Sequence, residues 1–147
     1  MTDPQEFFKE GDTSLGTFYP KHYIVAGYHN LADAEAAALA CRKNEFAEND
    51  VRTFGGHFVL EQMEAREGTN WLKRLQQQLA EFAGTETGYV QEDADLARSG
   101  GAFLFVYAPD DGDVDRARRV FAQHGPAYAR RYLAIAIEII VKNPNTP

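Results

Sequence analysis

One cysteine stands in the 147 residues of this chain. Cys41 has no partner for an internal disulfide, so the chain is expected to fold without covalent cross-links, in a reducing compartment. Long apolar runs are missing too: no segment approaches the roughly 18 continuous apolar residues that span a bilayer as a helix. The opening MTDPQEFFKEGDTSLG is acidic where a secretory leader would be basic, and no apolar run follows it. A soluble, cytoplasmic protein without membrane attachment is the expectation. Cations are also in deficit, with 15 Lys and Arg against 22 Asp and Glu and a net charge of −7. Binding to phosphate backbones needs the opposite balance, so general nucleic-acid affinity is not expected.

The motifs that announce chemistry are absent as well. There is no G-x-G-x-x-G, no Walker lysine, no CxxC or HExxH, and no G-x-S-x-G elbow. The four histidines, His22, His29, His57 and His124, lie far apart, whereas a metal needs ligands converging in a fixed geometry. No metal site and no catalytic residue are therefore expected. Cys41 falls on an apolar helical stripe, where a cysteine serves as a small core hydrophobe.

What is present is a changing hydrophobic rhythm. Residues 1–20 mix acidic, Gly and Pro residues with Phe7, Phe8, Phe18 and Tyr19, and are expected to form an arm, flexible or docked by its aromatics. HYIVAGY (22–28) has the short, β-branched and aromatic character of a buried strand. Asn30 stands where an N-cap belongs, and Leu31, Ala34, Ala38 and Cys41 predict a helix over about 31–44 with that face inward. NDVRTF predicts a second strand, continued after Gly55-Gly56 by HFVLEQ. Trp71, Leu72, Leu75, Leu79 and Phe82 form the stripe of a helix, and TETGYVQEDADLARSGG predicts a short acidic one, stopped at Gly100-Gly101. AFLFVYA is a second strongly apolar strand. A helix capped by Asp113 follows, with Val114, Ala117, Val120 and Phe121 inward and Gly125-Pro126 at its end. AYARRYLAIAIEII alternates as one long strand, and the tail 142–147 is expected to fray.

This order, strand–helix–strand, a helical insertion over about 64–99, then strand–helix–strand, predicts an α+β fold over residues 21–141. Specifically, it predicts a ferredoxin-like, four-stranded antiparallel sheet with helices on one face. In that topology the first and third strands are central, and they are the two continuous apolar runs. The segments YIVAGYHNLADAEAAALACRKNEF, Y…LARSGGAFLFVYA and ARRVFAQHG…ARRY resemble the bacterial heat-induced general stress protein domain over about residues 22–140. The resemblance implies a stress-associated role and carries over no catalytic residue. The stretch NDVRTFGGHFV and the N-terminal arm depart from that pattern.

Candidate binding residues follow from the face that helices would leave uncovered. Phe103, Phe105 and Tyr107, or their alternates, are expected there beside Tyr132, and a bare aromatic face of that kind asks for a cover. Three covers are available: the N-terminal arm, the Trp71 helix, or a second subunit. A homodimer or a partner-binding module is the leading expectation, and a small hydrophobic or planar ligand such as haem is the alternative. In that alternative His57 or His29 supplies the polar contact, with Tyr28 nearby. His29 also lies close to the amides of residues 31–33, where an anion could sit, but Asn30 accounts for those amides as a cap. His124 suits a helix C-terminus and His22 a strand entrance. Arg116, Arg118, Arg119, Arg130 and Arg131 form a local run of positive charge, expected to complement Asp111, Asp113 and Asp115.

Overall fold

A computed structural model of the chain describes residues 21–57, 87–133 and 136–144. In chain order these hold β1 (Tyr23–Tyr28), α1 (Leu31–Lys43), β2 (Val51–Gly55), α2 (Thr87–Arg98), β3 (Ala102–Tyr107), α3 (Asp111–Gln123), β4 (Tyr128–Tyr132) and β5 (Ile137–Val141). The expected arm, the Trp71 helix, the strand continuation beyond residue 57 and the last three residues lie outside the described residues.

The strands form one antiparallel sheet in the order β2-β3-β1-β4-β5. β1 takes the middle, and all six of its residues are buried; five of the six in β3 are buried as well. A strand covered on both faces loses the polar half of its alternation, which is why these two segments are apolar throughout.

Two expectations about the sheet change. The sheet has five strands, because the run from 128 to 141 is two strands paired antiparallel, with Tyr132 opposite Ile137 and Arg131 opposite Glu138. The Leu133 N–H donates to the Ala136 carbonyl where the chain reverses. Period-two alternation continues through this reversal, and LAIA holds no Gly, Pro, Asn or Asp to mark it.

Helices also lie on both faces. On one, α1 and α3 bring Ala34, Ala37, Ala38, Cys41, Val114, Ala117, Val120 and Phe121 against Ile24, Ala26, Leu104 and Val106. On the other, Leu96 and Ala97 of α2 join Val25, Phe54, Phe103, Phe105 and Tyr128. The bare aromatic face is therefore not bare: Phe103, Phe105 and Tyr132 are each at most 3 % exposed. Each buried aromatic of this size stabilises by about 1.5–3 kcal/mol.

Local chemistry sets the helix ends. Asn30 caps α1 by accepting from the Asp33 N–H at 2.8 Å, and its amide donates back to the Asp33 carboxylate. Leu31, expected inward, is 42 % exposed; the buried stripe is Ala34, Ala37, Ala38 and Cys41. The cap of α3 lies three residues earlier than expected, at Asp110, with Asp113 completing a reciprocal capping box. α2 stops where Gly100 takes a φ of 92°, a conformation that favours glycine. Close packing of α2 on the sheet depends on Gly27, since a Cβ there would lie 2.5 Å from Leu96 Cδ2 and 2.8 Å from Tyr128 Cζ.

Among the described residues no helix is long and apolar enough to cross a membrane. Nor do three His, Cys, Asp or Glu side chains gather as a metal-binding group there.

Candidate functional site

Alternation along β4 sends Tyr128, Arg130 and Tyr132 toward the α2 face and Ala129 and Arg131 toward α1 and α3. Arg130 is 1 % exposed. A guanidinium out of water is tolerable only where anions and acceptors replace its hydration. α2 supplies them. Asp93 is reached by both Nη atoms, 2.7 Å from Nη2 to Oδ1 and 3.3 Å from Nη1 to Oδ2. Glu92 accepts from Nη2 at 2.8 Å, and the Tyr132 hydroxyl accepts from Nη1 at 3.1 Å. The Tyr128 hydroxyl donates to Asp93 Oδ1 at 2.5 Å, and the Arg130 guanidinium lies 4.5 Å from the centre of the Tyr128 ring.

The electrostatics agree with these contacts. Burial pulls the Arg130 pKa down, but the Asp93 carboxylate and its hydrogen bonds outweigh that and hold it well above the ordinary value. Burial first, then Asp93, push the Tyr128 hydroxyl far up, so it stays a donor. The group is a charged lock between helix and sheet.

Beside this lock lies a cleft of about 340 Å³, lined by Glu92, Asp95, Leu96 and Ser99 of the α2 side and by His29, Ala127, Tyr128, Asn143 and Pro144 opposite. The Asn143 amide donates to Glu92 Oε2 at 3.1 Å, and the Ser99 hydroxyl donates to the Leu96 carbonyl at 2.8 Å. Ser99 follows α2 directly, as its sequence context implied.

Of the expected site residues, only His29 reaches this cleft, at its exposed rim. Tyr28 points to the opposite face, where it is buried and donates to the His124 carbonyl at 2.7 Å. Burial, with Cys41 next, pushes its hydroxyl up. A smaller hollow of about 240 Å³ lies there, lined by Tyr28, Asp33, Ala36, Gln123, His124 and Gly125. Phe103, Phe105, Tyr107 and Tyr132 do share one face, packed into the core with Tyr23 and Phe54. The Phe54 and Phe105 rings meet edge-on at 5.3 Å, and Tyr23 and Tyr107 tilt together at 5.0 Å. A planar ligand such as haem finds no bare aromatic surface among the described residues. His57 is exposed two residues beyond the end of β2, not on a strand. His29 and His57 both follow strands that run antiparallel to β3, so they lie toward the same end of the sheet.

The arginine run divides. Arg131 is buried with its Nε donating to the Ala108 carbonyl at 3.1 Å, and Asp111 and Glu138 stand 3.4 and 3.5 Å from Nη1. Arg116 pairs with Asp113 and covers the Phe46 ring. The expected complementing of Asp111 and Asp113 holds, and a continuous basic patch does not form, because neighbouring residues of a strand face opposite ways. What the reading of single segments missed is Arg130 with Glu92, Asp93 and Asn143. The available signal was an arginine pair inside a strand pattern, which demands buried partners somewhere in the chain.

Comparison with family models, with curated proteins and with solved structures found no match for this chain.

Proposed function

We propose that this chain is a stress-associated, non-enzymatic protein that works by association, forming a homodimer through the β5 edge of its sheet. The order β2-β3-β1-β4, with α1 and α3 on one face, supports reading its core as two ferredoxin-like split units with β5 added outside them. The stress role rests on the resemblance of its strand and helix segments to the heat-induced general stress domain.

The observation that carries the association is the state of β5. It pairs with β4 on one side, and among the described residues no strand pairs with the other. Edge strands present unpaired N–H and C=O groups to any second strand. Ile139 is 43 % exposed on this strand, with Ile137 half-buried beside it. A second β5 laid antiparallel to the first would satisfy both edges and cover both isoleucines.

The test is light scattering across a concentration series. The expected result is a dimer that dissociates on dilution, and a monomer under the same conditions for Ile139→Lys with unchanged circular dichroism. A strict monomer at high concentration, or a dimer indifferent to Ile139→Lys, overturns the proposal.

A further inference from the structure

We propose that the outer face of α1 is a second interaction surface, and that its partner is the α1 of another copy of this chain. The two helices pack antiparallel, with Leu39 at the dyad. The surface is independent of the association through β5: α1 lies over β2, β3 and β1, and β5 is the strand at the far end of the sheet.

The residues of that face set it apart from its neighbour. α1 and α3 are both 13 residues long and cover the same side of the sheet. The exposed side of α3 carries Asp115, Arg118, Arg119 and Gln123, as a solvated helix should. α1 buries Ala34, Ala37, Ala38 and Cys41, yet it also turns Ala32, Ala36 and Leu39 outward. A helix that is apolar on both sides is suited to burial on both. Leu39 is 52 % exposed, the most of any large apolar side chain among the described residues. The alanines beside it let a second helix approach to the roughly 8–10 Å of packed axes.

Charge selects the occupant and its direction. Glu35 stands four residues before Leu39 and Lys43 four residues after it, and all three are exposed. Residues at that spacing follow one another along a helix surface. Reversing the helix about Leu39 exchanges the two charged positions. Each Glu35 then meets the partner's Lys43, and two ion pairs flank the contact between the two leucines. A parallel copy would set like charges together instead. An isologous interface has to be complementary to itself in this way. Among the described residues neither Glu35 nor Lys43 has an ion pair of its own, whereas Arg42 is held by the Val51 carbonyl at 3.0 Å. One helix face buries less than the roughly 1,200 Å² of a stable interface, so the pairing is weak and is read by trapping it.

The experiment places a thiol at the dyad of the full chain. Leu39→Cys is made together with Cys41→Ala, so that it is the only cysteine, and the rate of disulfide-linked dimer formation is followed under mild oxidation. Linking is expected, because a residue on a dyad meets its own copy within disulfide reach. Ala32→Cys in the same background is as open to solvent, but its two copies lie about 20 Å apart in the antiparallel pair, so it should link far more slowly. Adding Glu35→Lys to the Leu39→Cys chain sets like charges opposite each other and should slow linking about five-fold. Adding Lys43→Glu as well restores opposite signs, and the rate should return. Adding Ile139→Lys alone should leave the rate unchanged, which separates this surface from the β5 dimer. Equal linking through Ala32→Cys, indifference to Glu35→Lys, or no recovery in the charge-exchanged chain would each overturn the pairing. So would a rate that falls with Ile139→Lys.

Discussion

At the scale of single residues, Arg130 and Asp93 are the pair on which the α2 face depends. Removing one member of a buried ion pair strands the other away from water, at a cost of about 3–5 kcal/mol. Asp93→Ala is therefore expected to lower the unfolding free energy by about that amount in a urea titration. Replacing both members at once, Asp93→Leu with Arg130→Met, should recover most of the loss, because no buried charge is then left without its partner. If the double variant is no more stable than the single one, Tyr128, Tyr132 and Glu92 need the ions more than the ions need each other. The pair was out of reach of local reading: Asp93 and Arg130 are 37 positions apart, and nothing in either segment names the other. Only the demand was visible, an arginine in a run that otherwise belonged inside.

At the scale of elements, the ends of helices and the apolar strands were legible because they are written locally. Asn30 and the run that follows specify α1 through a side chain that satisfies the amide three residues on. For α3 the same logic pointed to Asp113, yet Asp110 is the cap and Asp113 the reciprocating third residue. Four aspartates within six positions can each take that part, and the choice depends on where β3 releases the chain. Either Asn30→Ala or Asp110→Ala is expected to cost about 1 kcal/mol of stability. Urea denaturation checks this, and a loss confined to one of the two would show that the other helix start is held by packing alone. The β4–β5 reversal was illegible for a physical reason. Its alternation passes through unbroken, and its turn lacks the residues that accept unusual backbone angles. Where α2 sits was illegible too, since its docking depends on Gly27, a residue that leaves only an absence to read.

At the scale of the whole molecule, the buried acids set an alkaline limit. Burial, offset in part by Arg42, pushes the Cys41 thiol up from 9.0 to about 12. Burial also raises the Tyr28 and Tyr128 hydroxyls. All three hold their protons more tightly when folded than when unfolded, so the native state binds more protons and stability falls as pH rises. For Cys41 that contribution is whole below the unfolded value near 9.0 and is lost progressively toward about 12. The urea midpoint is expected to decline over this window, and to decline less steeply in Cys41→Ala. A parallel slope in the variant would assign the decline to the tyrosines. The pattern of charge at this scale was partly legible: composition gave the acidic surplus and TETGYVQEDADLARSGG an acidic helix, but neither gave that Glu92 and Asp93 of that helix turn to Arg130.

The two adjacent arginines of β4 have a consequence for how the strand finds its place. Arg130 reaches its carboxylates on one side of the sheet, and Arg131 reaches the Ala108 carbonyl on the other. Sliding β4 by one residue exchanges the two sides. Arg130 would then enter the alanine-lined layer under α1 and α3, and Arg131 would leave its carbonyl behind. Both errors bury charge without partners, so the misplaced strand is rejected twice over. The pair works as a registration mark, printed on both sides of the page, and the sheet can close only when the two impressions coincide.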